Sequence, residues 1–490
     1  MCFFRAPYLK HTLCEKGDVF VSNQLTKADV ARKRAKNPNS LWSALANGGP
    51  VVWLSCLIMG FGNFVAGQII KGLIFLVIEA VVIALMVVPI IPDMGDRVYS
   101  GIEWIKKLPS LGDRADSQEI VDNLEVTVFG DRSHLILLYS VIFLAILVFL
   151  AVMWQASVRS GYQALQKKKA GKKVPTFVED VKALFDENIH KLLMFVPFCL
   201  LMIFTVIPLV YMICMAFTNY NREHDFLFDW VGLDTFAQLF DPSRPISKYF
   251  WRVLGWTVIW AFFATFLNFF LGTFMALIIN RPTTRIKGFW RTMLSFTIAI
   301  PQFVSLLVIS NMFRYDGIIN NMLLKAGWIT EAMNLTAEPM SARIYVIVIN
   351  LWVGIPYTVM QVTGILKNIP ADLYEAARID GANTVQQFTN ITLPYMIFVL
   401  TPYIITSFTG NINNFGVIFL LTNGAPFDTG VVGEPGHTDL LVTWLYRLSI
   451  EQREYNLAAV IGIFTFIFLA FISLVTYRSS GSYKDEEGFR

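Results

Sequence analysis

Charge is scarce in this sequence: lysine, arginine, aspartate and glutamate make up 16% of 490 residues, against 55% hydrophobic types. So little polar material cannot cover several soluble domains, and the class that remains is a polytopic membrane protein. Net charge is only +4 and the bases are scattered, so the basic footprint of a nucleic-acid binder is missing. Cysteine is scarce as well. Cys2, Cys14, Cys56, Cys199 and Cys214 form no C-x-x-C pair, which speaks against a zinc ribbon or a disulfide framework, and no other metal site is expected. There is no G-x-x-x-x-G-K-[ST] loop, and Gly171-Lys172 lacks the upstream glycine and the following hydroxyl. By that route the chain cannot hydrolyse ATP. The first 42 residues carry Arg5, Lys10, Arg32, Lys33 and Arg34 without an apolar core, so they read as a cytoplasmic tail and not a cleavable signal peptide. Internal repeats and Gly/Ser-rich linkers are also missing.

What the sequence has is long runs without charge. They cover 135–158, 192–221, 253–280, 292–313, 344–366, 382–427 and 455–477, each near or above the roughly 20 residues that cross a bilayer as helix. An eighth span is expected over 72–92, interrupted only by Glu79, while the glycine-rich run 43–70 reads as interfacial or re-entrant. The fold class is therefore all-α, with about eight spans. Segments 1–50, 159–191, 281–291, 367–394 and 478–490 hold 25 bases against 13 acids, and the remaining connections 14 against 22. By the positive-inside rule the first set is cytoplasmic, with both termini inside. This organises the chain as a tail 1–50, a first membrane region 51–158 with an external loop, a connection 159–191, a core 192–477 and a tail 478–490. In the connection, Lys167, Lys168, Lys169, Lys172 and Lys173 precede Thr176-Phe-Val-Glu-Asp, the start of an amphipathic helix on the inner face. The lysines read as an anchor beside anionic lipid or, alternatively, as a partner site.

The most informative stretch is the connection 367–394, which contains EAARIDGANTVQQFTNITLP from Glu375 to Pro394. Pro370 suits a first helical turn, Asp372 and Glu375 favour its positive end, and Gly381 is placed to stop it in a left-handed conformation. A second short helix is expected from Thr384 to about Asn390, before Pro394 opens the next span. Small Ala376 and Ala377 would let another protein approach, with Glu375 and Arg378 at the edge. E-A-A, three residues, Gly, nine residues, then I-x-L-P resembles the EAA loop in the membrane subunits of binding-protein-dependent ABC importers. NINNFGVIFLLTNGAP (Asn411–Pro426), Thr438-Asp-Leu-Leu and Trp444-Leu-Tyr-Arg extend the likeness to the larger membrane subunit of maltose-type sugar importers, over roughly 192–477. Two features depart from that subunit: Gly424-Ala425-Pro426 replaces G-G-P, and the loop 218–252 is short where the enteric subunit carries an inserted domain.

The resemblance implies a type I ABC importer permease fold in a bacterial plasma membrane and a chain that is not itself an enzyme. It also implies a second homologous permease subunit, two cytoplasmic ATPase subunits holding ATP and Mg, and an extracytoplasmic sugar-binding protein. Glu375, Ala376, Ala377, Arg378, Asp380 and Gly381 would form the ATPase-coupling helix. No cofactor is expected on this chain. Ser407, Gly410, Asn411 and Asn414 fall at i, i+3, i+4 and i+7, one helical stripe whose amides and hydroxyl suit a neutral sugar. Gly354 and Tyr357 flank Pro356, which invites a kink. On spacing these polar residues also read as helix–helix glue; by resemblance, positions matching Gly354, Tyr357, Ser407, Asn411 and Asn414 line a maltose/maltodextrin site, with Gly410 departing from a bulkier aromatic. Trp230, Tyr249, Phe250, Trp251, Trp444 and Tyr446 read as an interfacial belt or as contacts for the delivering protein. Glu79 reads as an anchoring or packing group, or as a proton relay. An ion-coupled secondary sugar transporter is the alternative function. It needs ionisable groups buried in the spans, of which Glu79 is the one present.

Overall fold

The computed structural model describes residues 40–92, 98–112, 117–121, 124–128, 130–281, 283–429, 431 and 433–479. The tails 1–39 and 480–490 lie outside the described residues, and so do their expected locations. Seven described helices are long and apolar enough to span a membrane, or eight with a helix pair bent by 90°. In chain order they are α1 Ile69–Val87, α2 Ser133–Lys169, α3 Ile189–Met215, α4 Pro245–Asn280, the bent pair α5 Lys287–Ala299 and α6 Gln302–Met312, and α7 Pro339–Asn368. After them come the short α8 Ala371–Ile379, the long α9 Thr384–Ile412, the short α10 Phe415–Leu421 and α11 Tyr455–Arg478. The 90–130 connection contributes two antiparallel strand pairs, 91–92 with 98–99 and 117–121 with 124–128. The segment differs from the external loop expected there, and Ile120, Val121, Val126, Thr127 and Val128 have the β-branched character of strands.

The chain divides into two units, one made of residues up to Pro89 with Phe143–Cys199, the other of Ile90–Ile142 with Leu200 onward. In the first unit, the run 43–70 forms short helices Leu41–Asn47, Gly49–Leu57 and Phe61–Ala66, none of membrane length. Glu79 closes the break between the last two by accepting the Met59 N–H at 2.8 Å, so its carboxylate has a packing partner. Lys71 pairs with Asp180 at 2.9 Å, and Gln68 donates to the Pro175 carbonyl at 2.8 Å. The amphipathic helix forms over Phe177–Phe185, opened by a capping box between Thr176 and Glu179.

The second unit is built around α4. Its contact face carries Ala261, Ala264 and Ala276, all fully buried, because without a hydrophobic drive between helices in lipid, close van der Waals approach holds them together. Two apolar layers result. In one, Trp256, Trp260 and Ala264 of α4 pack with Tyr345, Val346 and Ile349 of α7, Leu306 of α6 and Val417, Ile418 and Leu421 of α10. In the other, Phe269, Ala276 and Ile279 pack with Val359 and Val362 of α7 and Met396 and Leu400 of α9. Between them, Thr265 and Asn268 of α4 and Asn350 and Thr358 of α7 form a buried polar layer. Pro356 sits buried inside α7, which runs as one helix past it.

Two expected spans are broken. The run 292–313 bends by 90° at Ile300-Pro301, where Ile300 is extended because a residue preceding proline is driven out of the helical region. The run 382–427 ends its helix at Ile412; Asn414, with φ −77° and ψ 79°, caps α10 by accepting the Val417 N–H. The aromatic belt is corrected for two members. Phe250 and Trp444 are buried in a core with Leu239, Val253, Leu441, Leu448 and Ile461, the Trp444 indole donating to the Gly433 carbonyl at 3.0 Å. Trp230, half-buried, donates its indole N–H to the Leu108 carbonyl at 2.8 Å, whereas Trp251 is exposed.

Candidate functional site

The polar layer borders a half-open cavity of about 260 Å³ lined by residues of α4, α6, α7, α9 and the α9–α10 break. All six residues anticipated for a substrate site line it: Gly354, Tyr357, Ser407, Gly410, Asn411 and Asn414. They do not share one helical stripe. Ser407, Gly410 and Asn411 lie in the last turns of α9, while Asn414 stands beyond the helix end as the cap of α10. A stripe count carries a side chain in the right direction only while the helix lasts, and the Asn413 backbone (φ −97°, ψ 21°) leaves it.

Asn411 is the organising residue. Its side-chain amide donates to Thr265 Oγ1 of α4 at 3.0 Å, and its backbone carbonyl accepts the Trp260 indole N–H at 3.0 Å. Its side-chain oxygen accepts from Asn414 Nδ2 at 3.4 Å. Across the cavity the hydroxyls of Thr358 and Tyr403 meet at 3.3 Å. Tyr357 is half exposed, and a Cβ at Gly410 would meet nothing within 4 Å, so the floor at that position is open.

The sequence reading missed Thr265 and Asn268 on α4, Gln302 in the first turn of α6, Asn350 on α7 and Tyr403 on α9, all of which line the cavity. Asn350 lies four residues before Gly354, so helical spacing alone could have found it. Gln302 arrives only through the 90° bend. Asn268 Oδ1 and Asn350 Nδ2 are buried with no hydrogen-bond partner in the structure, each a cost of about 1–3 kcal/mol when left unmade. Among the described residues, no Asp, Glu, Lys, Arg or His lines the cavity.

The second anticipated site is the hairpin around α8. Pro370 caps the helix, and Gly381 takes φ +79°, a conformation that costs a residue with Cβ. Ala382 then donates back to the Ala377 carbonyl at 2.8 Å. Asn383 and Gln386 form a reciprocal capping box, and Tyr374 Oη meets Thr392 Oγ1 at 2.8 Å to tie the two arms. The second arm does not stop near Asn390 as expected. It continues through a π turn, Phe388–Thr392, into Leu393–Ile412, the wider turn lying just before Pro394, which has no N–H to donate to the preceding turn. Glu375, Ala376, Arg378, Asp380 and Gly381 are exposed and Ala377 is half-buried. Leu373, Val385 and above all Ile379, 87% exposed, leave apolar side chains in the open on the hairpin.

The motif residues 423–447 make a third constellation. Asp439 is fully buried and accepts from Arg447 at 3.0 Å and from the Gly436 N–H at 2.7 Å, while Arg447 also donates to the Asn423 carbonyl at 2.6 Å. Burial pushes the Asp439 carboxyl up, and Arg447 opposes that push. Asp428, half exposed, is held below the ordinary carboxylate range by His437 at 2.7 Å and Arg252 at 2.9 Å.

A bundle of membrane-length helices, a neutral polar cavity in its core and an exposed EAA hairpin define a permease. The chain belongs to the binding-protein-dependent transport system inner membrane components, whose family profile matches residues 268–481. It is thus a multi-pass, non-catalytic component of an inner-membrane ABC importer. It is 33% identical to the galactooligosaccharides transport system permease protein GanP of Bacillus subtilis, over 89% of this chain and 99% of that one. It is 30% identical to the maltodextrin transport system permease protein MdxF of the same organism, over 89% and 96%. The maltose/maltodextrin transport system permease protein MalF of Klebsiella aerogenes is 35% identical over 51% of this chain and 49% of its own length.

Proposed function

We propose that this permease carries a neutral oligosaccharide of the maltodextrin or galactooligosaccharide kind through the cavity between α4, α7 and α9. The observation that carries this reading is the lining: four asparagines, a glutamine and several hydroxyls, with no ionisable acid or base other than tyrosine. Such a surface offers donors and acceptors to hydroxyl groups and no full charge to an ion, which also counts against the ion-coupled alternative. Replacing Asn411 and Asn414 together with leucine should lower uptake of the transported sugar by at least about 10-fold, since two polar contacts of about 1 kcal/mol each are lost. Unchanged uptake of every maltodextrin and galactooligosaccharide tried would sink the assignment.

The hairpin 371–392 is the coupling element. Its exposed apolar side chains and small Ala376 and Ala377 suit a cleft on a separate ATPase that holds ATP and Mg, and both chain termini then lie on that cytoplasmic side with the tails 1–50 and 478–490. A second homologous permease subunit, two ATPase subunits and an extracytoplasmic sugar-binding protein complete the assembly, the core 192–477 supplying this chain's half of the pathway. ATP shifts the permease between inward- and outward-facing states only if the hairpin is held differently in each. Gly381→Pro cannot adopt φ +79°, so the variant should insert normally yet no longer retain the ATPase on purification. Co-purification at the wild-type level would count against coupling through this hairpin.

A further inference from the structure

Asn268, like Asn350, keeps a buried polar atom without a hydrogen-bond partner, and of the two it is the one whose free atom is an acceptor. Asn411 and Asn414 find side-chain partners, whereas Asn268, 8% exposed, donates to the Ala264 carbonyl of its own helix at 2.6 Å and leaves its carbonyl oxygen without a partner. What lets it sit there is on the facing helix. Its amide lies flat against the α-carbon of Gly354, where an added Cβ would overlap Nδ2, Cγ and Oδ1 together. Any larger residue at 354 must therefore displace the amide. We propose that Asn268 is a specificity-determining residue of the cavity, its carbonyl oxygen taking a hydroxyl hydrogen of the substrate, and that Gly354 is a positioning residue that acts by seating this amide. This rests on the sugar-site reading above. An oxygen that can only accept discriminates by what it leaves unpaired: a ligand that presents a hydroxyl satisfies it, and one that presents an ether or a bare ring carbon does not.

The test is initial uptake at limiting concentration of maltotriose, maltotetraose and β-1,4-galactotriose by cells carrying the complete transport system, with permease level in the membrane measured alongside. Asn268→Leu keeps the branched shape and should lower uptake of the preferred sugar about 10-fold while changing the ranking among the three. Gly354→Ala should reproduce that altered ranking, and the double variant should be no worse than Asn268→Leu alone. Should Asn268→Leu fail to accumulate, the smaller Asn268→Ser carries the same cycle. Effects that multiply in the double variant, or an equal fall for all three sugars, overturn the proposal, as does uptake within twofold of wild type. Asn411→Leu run in parallel separates the two levels: loss there with no effect at Asn268 overturns this inference alone, and no effect at either removes the sugar site as well.

Discussion

The hairpin around α8 and the cavity beside α4 are held in opposite ways. Every tie described in the hairpin joins residues at most 18 positions apart: Ala382 to Ala377, Asn383 to Gln386, Tyr374 to Thr392. The cavity depends on bonds across 151, 146 and 45 positions, Trp260 to Asn411, Asn411 to Thr265 and Thr358 to Tyr403. The hairpin is thus built from local rules and leaves apolar residues outside, while the cavity forms only when the bundle closes.

Damage should accordingly be structural inside and interactional on the hairpin. The largest effect is expected at Arg447→Ala, which leaves buried Asp439 without its opposing charge; such a loss costs about 3–5 kcal/mol and should appear as a lower thermal midpoint in detergent. Combining it with Asp439→Leu should recover most of that loss, and a single variant as stable as wild type would mean the pair is not structural. Ile379→Asp should instead leave the midpoint unchanged within about 0.5 kcal/mol and weaken retention of the ATPase by about 2 kcal/mol or more, as for an interface anchor. A drop in stability there, with the ATPase still bound, would place Ile379 inside the fold. Thr265→Val removes one partner of Asn411 and should cost about 1 kcal/mol, with uptake falling more than stability; equal losses would make Asn411 a packing residue only.

The smallest effect concerns pH. Asp428 has a folded pKa below its ordinary 3.8, so what it contributes is present above that value and disappears as pH falls through the lower folded pKa. Because the carboxylate is half exposed, the contribution is modest. Stability measured from pH 7 to 5 should not respond to Asp428→Asn through this titration, and the difference between variant and wild type should shrink only below about pH 4.

Legibility followed the range of the interactions. Gly381, Pro370 and the charges of α8 could be placed from the sequence, because caps and left-handed glycines act within one or two turns. The six cavity residues were anticipated, four of them as a stripe that the structure breaks at Asn413; the break needed Asn414 to cap a new helix, a choice no periodicity announces. Gln302 was invisible without the bend at Pro301, and Asn268 was one amide in an apolar run with nothing to mark its neighbour. Phe250 and Trp444 were misplaced at an interface because the core that buries them is shared by residues from 239 to 461.

The sequence by itself determined that the chain crosses a membrane many times, that it carries an exposed hairpin with a fixed turn, and which family it joins, since hydropathy, capping and a contiguous motif are all local. The tertiary structure alone decided that Asn268 faces Gly354, that Asp439 is buried against Arg447, and that a polar layer lies between two apolar ones. Those outcomes depend on which helix faces meet, and in lipid that is settled by close packing between residues far apart in the chain.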